Sequence, residues 1–520
     1  MSKIRALSLA ELPVGSMKTV TLGQTEILLI NNHASIIAVQ STCPHAGAPL
    51  VQGAICNNRL VCPWHLATFE LPSGELVEPP AMTPLTTYAV EIQNNEILVD
   101  TTAQPCPKPA PQTSESPVFL IVGAGAAGSM ALATLRQHNF AGKIILVDPV
   151  ATEPVDRTQL SKDALSGFIP LNEICLNINE FEHERITASV IDFSAATHSA
   201  LLSTGQLLKF DKALLATGGT PKRLPIPGAE LAHTIRHTDD VYRILSAASP
   251  RDKIVIIGTS FIGLEAASAL GQRGNTVTVV GKEKIPFAKQ FGVEVAKRLV
   301  LLHETNGTKF QLSAEPLRIT KDTVTIRNSR GIEEHVPADL VIFGVGVNPE
   351  PNFCHDLSPT TNSPNVWTAG DIAEVNGTRI EHWRVAQQQG RIAALGMLGQ
   401  NATYEGVPYF WTYHFGKRIG YIGHATEWDE TIILGSLGDM EFLTLYVKDD
   451  HVRAVLNCGF ETEMAALAEP MRTNPTLRDV LFDRKAWFID STGRRTRGCR
   501  CLFPCDLSHL EALVVGPPCC

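Results

Sequence analysis

An apolar five-residue run, a glycine-rich turn and an apolar helix occur twice in this chain of 520 residues, and the duplication constrains its fold more than any other feature. In the first copy Val118 to Val122 leads into Gly123-Ala-Gly125-Ala-Ala-Gly128; in the second, Lys253 to Ile257 leads into Gly258-Thr-Ser260-Phe-Ile-Gly263. Apolar strands without alternation are buried on both faces, so each copy belongs to a parallel sheet covered by helices. Gly123 permits the tight turn, Gly125 lets a pyrophosphate approach the helix N-terminus, and Gly128 lets the helix pack on the strand. Asp148 ends a second strand, KIILVD, about twenty residues further on, where a carboxylate grips a ribose hydroxyl. Two dinucleotide-binding domains follow. In the second copy Ser260 replaces the middle glycine, and the strand TVTVV ends at Val280 with no acid at the expected place. Lys282 and Lys284 stand close by, which leaves both NADH and NADPH open; a solvated turn is the alternative for the lysines.

Residues 1–102 read differently. Short alternating strands such as Lys18 to Leu22, Glu26 to Ile30 and Ile97 to Val99 are separated by turn residues, the pattern of an all-β domain. Within it, Cys43-Pro-His45 is followed after sixteen residues by Cys62-Pro-Trp-His65. Two thiolates and two imidazoles suit a [2Fe–2S] cluster with cysteines on one iron and histidines on the other, against a Cys₂His₂ zinc site as the alternative. Zinc fingers group like ligands, whereas each pair here is mixed. The flanking CPHAGAPL and CPWHLATFE resemble Rieske proteins, which implies Cys43, His45, Cys62 and His65 as cluster ligands. Respiratory members carry a further cysteine in each loop; Ala48 and Trp64 stand there in this chain, as in soluble Rieske ferredoxins. Ala67 and Phe69 occupy the positions of the Ser and Tyr donors of high-potential members. Without those donors the midpoint is expected toward the low end of the range of roughly −150 to +300 mV.

ATGGTPKRLPIPGAEL (Ala216 to Leu231) and VWTAGDIA (Val366 to Ala373) resemble motifs of disulfide-reductase-like flavoenzymes. The resemblance implies FAD in the first dinucleotide domain, with Thr217, Gly218, Gly370 and Asp371 against it and Arg157 and Lys162 approaching the flavin. A charged helix start is the alternative for that last stretch. FGVGVNPE, with Gly344 and Gly346, fits the return strand of a nicotinamide domain that takes NADH or NADPH; EHWRVAQQQGRIAA (Glu381 to Ala394) and PYFWTYHFG (Pro408 to Gly416) complete the pattern. Taken together, residues 1 to about 480 resemble the Rieske-fused apoptosis-inducing-factor-like oxidoreductases, relatives of the ferredoxin reductases of ring-hydroxylating dioxygenase systems. By that resemblance Glu265, His382 and Trp383 lie near the nicotinamide and isoalloxazine, with a satisfied buried Glu or His as the competing reading.

The expected fold is multidomain: an all-β Rieske domain, an α/β flavoprotein reductase with two dinucleotide-binding domains, and a smaller α+β C-terminal domain. Its boundaries are 1–102 for the Rieske domain and 103–117 for a proline-rich linker that would let it swing. FAD binding takes 118–245 and 349–402, NAD(P) binding takes 246–348, and an interface-like domain takes 403–490. Residues 491–520 form a cysteine-rich tail. Two stretches, 166–191 and 346–371, are shorter than the resemblance leads one to expect, which would expose sheet and loosen the flavin pocket. The tail holds five of twelve cysteines. With His509 as its one further good ligand, no standard zinc spacing and no CaaX ending, it reads as a flexible extension.

A net charge of −9 without a basic block argues against nucleic acid, and no stretch reads as a transmembrane segment. The start of the chain has neither a secretory h-region nor a transit-peptide composition, so a cytoplasmic location is expected, with mitochondrial association left open. The function expected is transfer of electrons from NAD(P)H through FAD to the chain's own cluster and on to an unknown acceptor, in a monomer or homodimer. A redox-sensing or apoptosis-inducing-factor-like signalling protein, and a reductase component of a nitrite-reductase or oxygenase system, are the alternatives.

Overall fold

The computed structural model describes residues 3–32, 35–103, 116–349, 364–375 and 377–482, and counts below are of those residues. Linker residues 104–115 and the cysteine-rich tail lie outside them. The described residues sort into two compact units, one within Met1–Pro107, Glu405–Trp411 and Ile419–Cys520, the other within Lys108–Tyr404 and Thr412–Arg418.

In the first unit, alternating sequence makes a six-stranded antiparallel sheet. Its order is Ile4–Ser8, Glu96–Asp100, Thr87–Gln93, Ser35–Gln40, Thr25–Asn32, Met17–Leu22. One face buries Leu7, Leu22, Ile27, Leu29, Ile97 and Val99. A second sheet of three-residue strands, Ala54–Cys56, Arg59–Val61, Thr68–Glu70 and Leu76–Glu78, holds the Cys62–Ala67 loop between its two middle strands. The C-terminal part is a five-stranded antiparallel sheet with short helices Glu461–Leu467 and Leu477–Phe482, an α+β arrangement.

That C-terminal part grips the Rieske-like domain. Cys56 donates to the Ala466 carbonyl, Thr462 Oγ1 donates to the Gln52 carbonyl at 2.9 Å, and Glu469 sits between Arg59 (3.2 Å) and Arg472 (3.2 Å). Arg472 also reaches Glu78 at 2.7 Å. Glu469 is 8 % exposed, so parting it from its cations would leave a buried charge, a cost of about 3–5 kcal/mol. The Rieske-like domain and the C-terminal part are thereby joined within one unit.

The second unit contains both glycine-turn copies. A parallel sheet runs Glu184–Thr187, Lys143–Asp148, Val118–Val122, Lys212–Leu215, Val366–Thr368. The other runs Lys309–Leu312, Thr276–Gly281, Lys253–Ile257, Leu340–Phe343. Each is covered on one side by a three-stranded antiparallel meander, and the chain passes between the halves through Gly219–Pro221 paired with Val347–Pro349. The two shortened stretches still deliver both edge strands of the first sheet, Glu184–Thr187 and Val366–Thr368. Helices Ala126–Gln137 and Trp383–Met397 touch backbone to side: a Cβ on Gly390 would lie 2.1 Å from the Ala127 carbonyl oxygen.

Candidate functional site

The two Cys-X-His loops are built alike. Cys43 N–H donates to the Ala48 carbonyl and Gly47 N–H donates back to Cys43; Cys62 N–H donates to Ala67 and Leu66 N–H donates back to Cys62. The fourth residue after each cysteine is left-handed, Gly47 at φ 73° and Leu66 at φ 60°. These turns aim backbone N–H groups at sulfur: His45 and Ala46 toward Cys43, Trp64 and His65 toward Cys62. Both thiols are buried and hydrogen-bonded to one another, and Nδ1 of His45 lies 3.0 Å from Nδ1 of His65. The hydrogen bond from Cys43, with those N–H groups, lowers Cys62 to about 7, while the same bond and burial push Cys43 up. One thiolate forms readily; two together call for bound positive charge.

The donors thus pair Cys with Cys and His with His. Among the described residues no three His, Cys, Asp or Glu side chains converge on a single ion. A [2Fe–2S] cluster takes two thiolates on one iron and two imidazoles on the other, and these residues fit it. Ala67 and Phe69 are fully buried beside the second loop. Two residues not singled out in the sequence complete the surroundings. The Trp411 ring packs 4.3 Å from that of His65, and Tyr409 OH donates to the Trp64 carbonyl at 3.1 Å. His65 is 8 % exposed and His45 only partly buried.

In the first glycine turn, Gly123 has φ 102°, and a Cβ there would lie 2.3 Å from the Ala216 carbonyl oxygen and 3.3 Å from Thr217 Cα. A Cβ on Gly128 would lie 1.8 Å from the Gly123 oxygen. Asp148 is buried and accepts from Ala124 N at 2.7 Å and Val150 N at 2.8 Å. The turn opens into a cleft lined by Ala124, Asp148, Arg157, Arg236 and His237 among others. Arg157 Nη1 would lie 3.7 Å from a Cβ on Gly125. Burial and the neighbouring Arg236 lower its guanidinium to about 10, still protonated at neutral pH, with Asp148 and Asp371 opposing the shift. Arg236, which the sequence reading missed, pairs with Asp371 at 3.5 Å and would lie 2.7 Å from a Cβ on Gly218. No local motif marks it; the fold carries it there. Gly370 has φ 81°, and its N–H donates to Gln389 at 2.7 Å. Two arginines, a glycine turn and a helix N-terminus make a cradle that fits a dinucleotide pyrophosphate.

The second copy is tighter. A Cβ on Gly258 would lie 2.2 Å from the Gly344 carbonyl oxygen, and one on Gly344 would lie 2.8 Å from Gly263 Cα. Ser260 caps the helix Phe261–Gln272, its Oγ accepting from Gly263 N at 3.2 Å. Gly346 has φ 94° and adjoins Lys222. Gly281 stands where Asp148 ends its strand in the first copy; Glu283, two residues past the strand Thr276–Gly281, accepts from Thr259 Oγ1 at 2.6 Å. Thr259 stands in its glycine turn where Ala124, the residue Asp148 meets, stands in the first. Lys282 instead points to Glu315 at the surface.

Glu265, on Phe261–Gln272, is 4 % exposed and fully engaged. It receives Lys162 Nζ at 3.0 Å, Ser161 Oγ at 2.5 Å and Thr412 Oγ1 at 2.7 Å. Lys162 and Glu265, 103 positions apart, are thereby joined in one buried ion pair. His382 and Trp383 stand elsewhere, at the N-cap and first residue of Trp383–Met397, both partly buried.

Residues 118–390 match the family described as pyridine nucleotide-disulphide oxidoreductase, more than half of the chain, and residues 2–89 match the Rieske [2Fe-2S] domain. The chain belongs to the pyridine nucleotide-disulphide oxidoreductase family and carries a Rieske domain. It is 32% identical to human apoptosis-inducing factor 3 over 90% of this chain and 84% of that protein. It is 30% identical to the 5,5'-dehydrodivanillate O-demethylase ferredoxin reductase subunit of Sphingobium, over 66% of this chain and 90% of that subunit. The covalent putidaredoxin reductase–putidaredoxin complex shares the fold at TM-score 0.64 and 24% identity, over 69% of this chain and 93% of that one. The Rieske domain implies a [2Fe–2S] cluster, and membership of this family together with ferredoxin–NAD(+) reductase relatives makes the protein an FAD-dependent NAD(P)H oxidoreductase. Among the described residues no helix is long and apolar enough to cross a membrane.

Proposed function

We propose that the protein takes electrons from a nicotinamide nucleotide at a bound FAD, passes them to its own Rieske cluster, and delivers them to an acceptor that docks from outside. One observation carries this reading: a single chain holds both the two-plus-two Cys/His donor set and a two-arginine glycine turn beside a buried Lys162–Glu265 pair. FAD, when bound, accepts hydride from a nicotinamide and gives up electrons singly, which is the exchange an iron–sulfur centre requires. For the residues, Arg157 and Arg236 neutralise the pyrophosphate, Asp148 holds a ribose hydroxyl, and Lys162 presents a charge whose position Glu265 sets. Cys43, His45, Cys62 and His65 hold the cluster.

Anaerobic titration of the purified protein with NADH, and with NADPH in parallel, followed by visible absorption and low-temperature EPR, tests it. Flavin bleaching accompanied by a Rieske-type signal is the expected result. Bleached flavin with a silent cluster defeats the internal path.

Glu283 favours NADH, since a carboxylate beside the turn binds a ribose 2′-hydroxyl and repels a 2′-phosphate. Glu283→Gln is expected to raise KM for NADH by about tenfold, one hydrogen bond to a charged group being worth roughly 1.5–3 kcal/mol, and to narrow the preference over NADPH. Unchanged KM values for both nucleotides would remove Glu283 from the site.

A further inference from the structure

A line of buried polar groups runs away from Glu265 and is used by nothing so far described. Thr412 Oγ1 lies 2.7 Å from Glu265 Oε1, His414 Nε2 lies 2.9 Å from Thr412 Oγ1, and His303 Nε2 lies 3.1 Å from His414 Nδ1. Thr412 and His414 are fully buried and His303 is 1 % exposed. The directions of these bonds follow from chemistry. A carboxylate only accepts, so Thr412 donates to Glu265 and its oxygen accepts from His414 Nε2–H. Neutral His414 then offers Nδ1 as an acceptor to His303 Nε2–H, which leaves His303 Nδ1 as an acceptor too. Burial lowers His414 to about 3 and puts His303 well below its usual value, in keeping with neutral rings. The groups facing them are the Phe287, Phe310 and Phe415 rings, the Leu264 carbonyl and the Lys162 charge.

The far end of the line is a second, separate observation. His303 Nδ1 and Thr308 Oγ1 are both buried without a hydrogen-bond partner, and Thr308 N–H donates to the His303 carbonyl at 3.0 Å. Buried polar atoms are rarely left so, and ordered water is their usual partner where protein groups supply none. Between them the chain turns through Asn306 and Gly307, which are exposed.

We propose that His303, His414 and Thr412 are a proton relay between solvent at the Asn306–Gly307 turn and the buried Glu265 carboxylate. A proton from water binds His303 Nδ1. His303 gives its Nε2 proton to His414 Nδ1, His414 gives its Nε2 proton to Thr412 Oγ1, and Thr412 gives its hydroxyl proton to Glu265 Oε1. One proton enters, one O–H bond forms on Glu265, no electron moves, and the reversed line carries the proton back out. The relay adjusts the charge on Glu265, and so on its Lys162 pair, when electrons arrive nearby; that purpose rests on the flavin reading above.

The test uses the full chain with its cofactors, as wild type and as Thr412→Val, Thr412→Ser and His303→Leu. Redox-difference infrared spectra on NADH reduction are expected to show a protonated-carboxylic-acid band that Glu265→Gln removes. Thr412→Val should slow its appearance at least tenfold, Thr412→Ser should restore it, and His303→Leu should slow it as Val does. An unaltered band and rate in Thr412→Val, or no rescue by Ser, overturns the relay. Nitrogen-15 NMR of unreduced protein reads the same line without turnover: Nε2–H tautomers for both His303 and His414 support it, and any other pair overturns it. If NADH fails to bleach any flavin, the flavin reading falls and the tautomers alone decide the relay.

Discussion

Protein carrying His65→Ala is expected to lose the Rieske-type EPR signal altogether, while its flavin is still reduced by NADH. A [2Fe–2S] cluster with one histidine removed keeps a single protein ligand on that iron, and solvent takes the vacated position. His65 is also the more sheltered of the two histidines, at 8 % exposure with the Trp411 ring 4.3 Å away. The residues proposed to hold flavin and nicotinamide belong to the other compact unit and keep their own parallel sheets, so their chemistry should survive. Retention of a wild-type EPR spectrum in His65→Ala would mean that the cluster is held by a different donor set. Loss of both signals would mean that the two centres are not separately assembled.

Lys162→Met should cost about 3–5 kcal/mol of stability, because it leaves the Glu265 carboxylate buried with two hydroxyls and no cation. At roughly 2–4 °C per kcal/mol for a domain of this size, the thermal midpoint of the nucleotide-binding unit should fall by about 6–20 °C. Adding Glu265→Gln should recover much of that loss, since a neutral amide no longer needs the ammonium. Calorimetry of both variants measures it: a fall below about 1 kcal/mol in Lys162→Met, or a double variant no better than the single, contradicts the buried pair. Flavin reduction is expected to be impaired in either protein, which separates what the pair does for stability from what it does for chemistry.

Periodicity and spacing account for much of this molecule. The expected strands Lys18 to Leu22 and Glu26 to Ile30 became Met17–Leu22 and Thr25–Asn32, the second buried continuously from Ile27 to Asn31 where alternation was expected, and each apolar run before a glycine turn became the central portion of a parallel sheet. Such patterns are legible because a strand buried on one face must alternate and one buried on both must not. The glycines are legible for a similar reason: Gly123 and Gly128 pack against backbone at distances that no side chain tolerates.

Three features were not legible. Arg236, just ahead of the helix Thr238–Ala247, meets Asp371, just past the strand Val366–Thr368, only through the tertiary fold, and nothing in IRHTDD announces it. Glu283 escaped because its position was judged by its place after the strand, whereas its carboxylate reaches across to Thr259, 24 residues earlier in the glycine turn. The anchoring of the Rieske domain to the C-terminal part depends on Glu469, more than 400 residues from Arg59, a pairing that no local pattern announces.

Local chemistry therefore wrote itself into the sequence wherever it needs a fixed spacing along the chain: two turns that aim N–H groups at sulfur, and two turns narrow enough for a pyrophosphate. Lys162 with Glu265, Trp411 on His65 and the line from Glu265 to His303 join residues brought together by packing alone. A buried charge or ring needs a partner of the right kind within about 3–4 Å, and the separation along the chain is immaterial to that need.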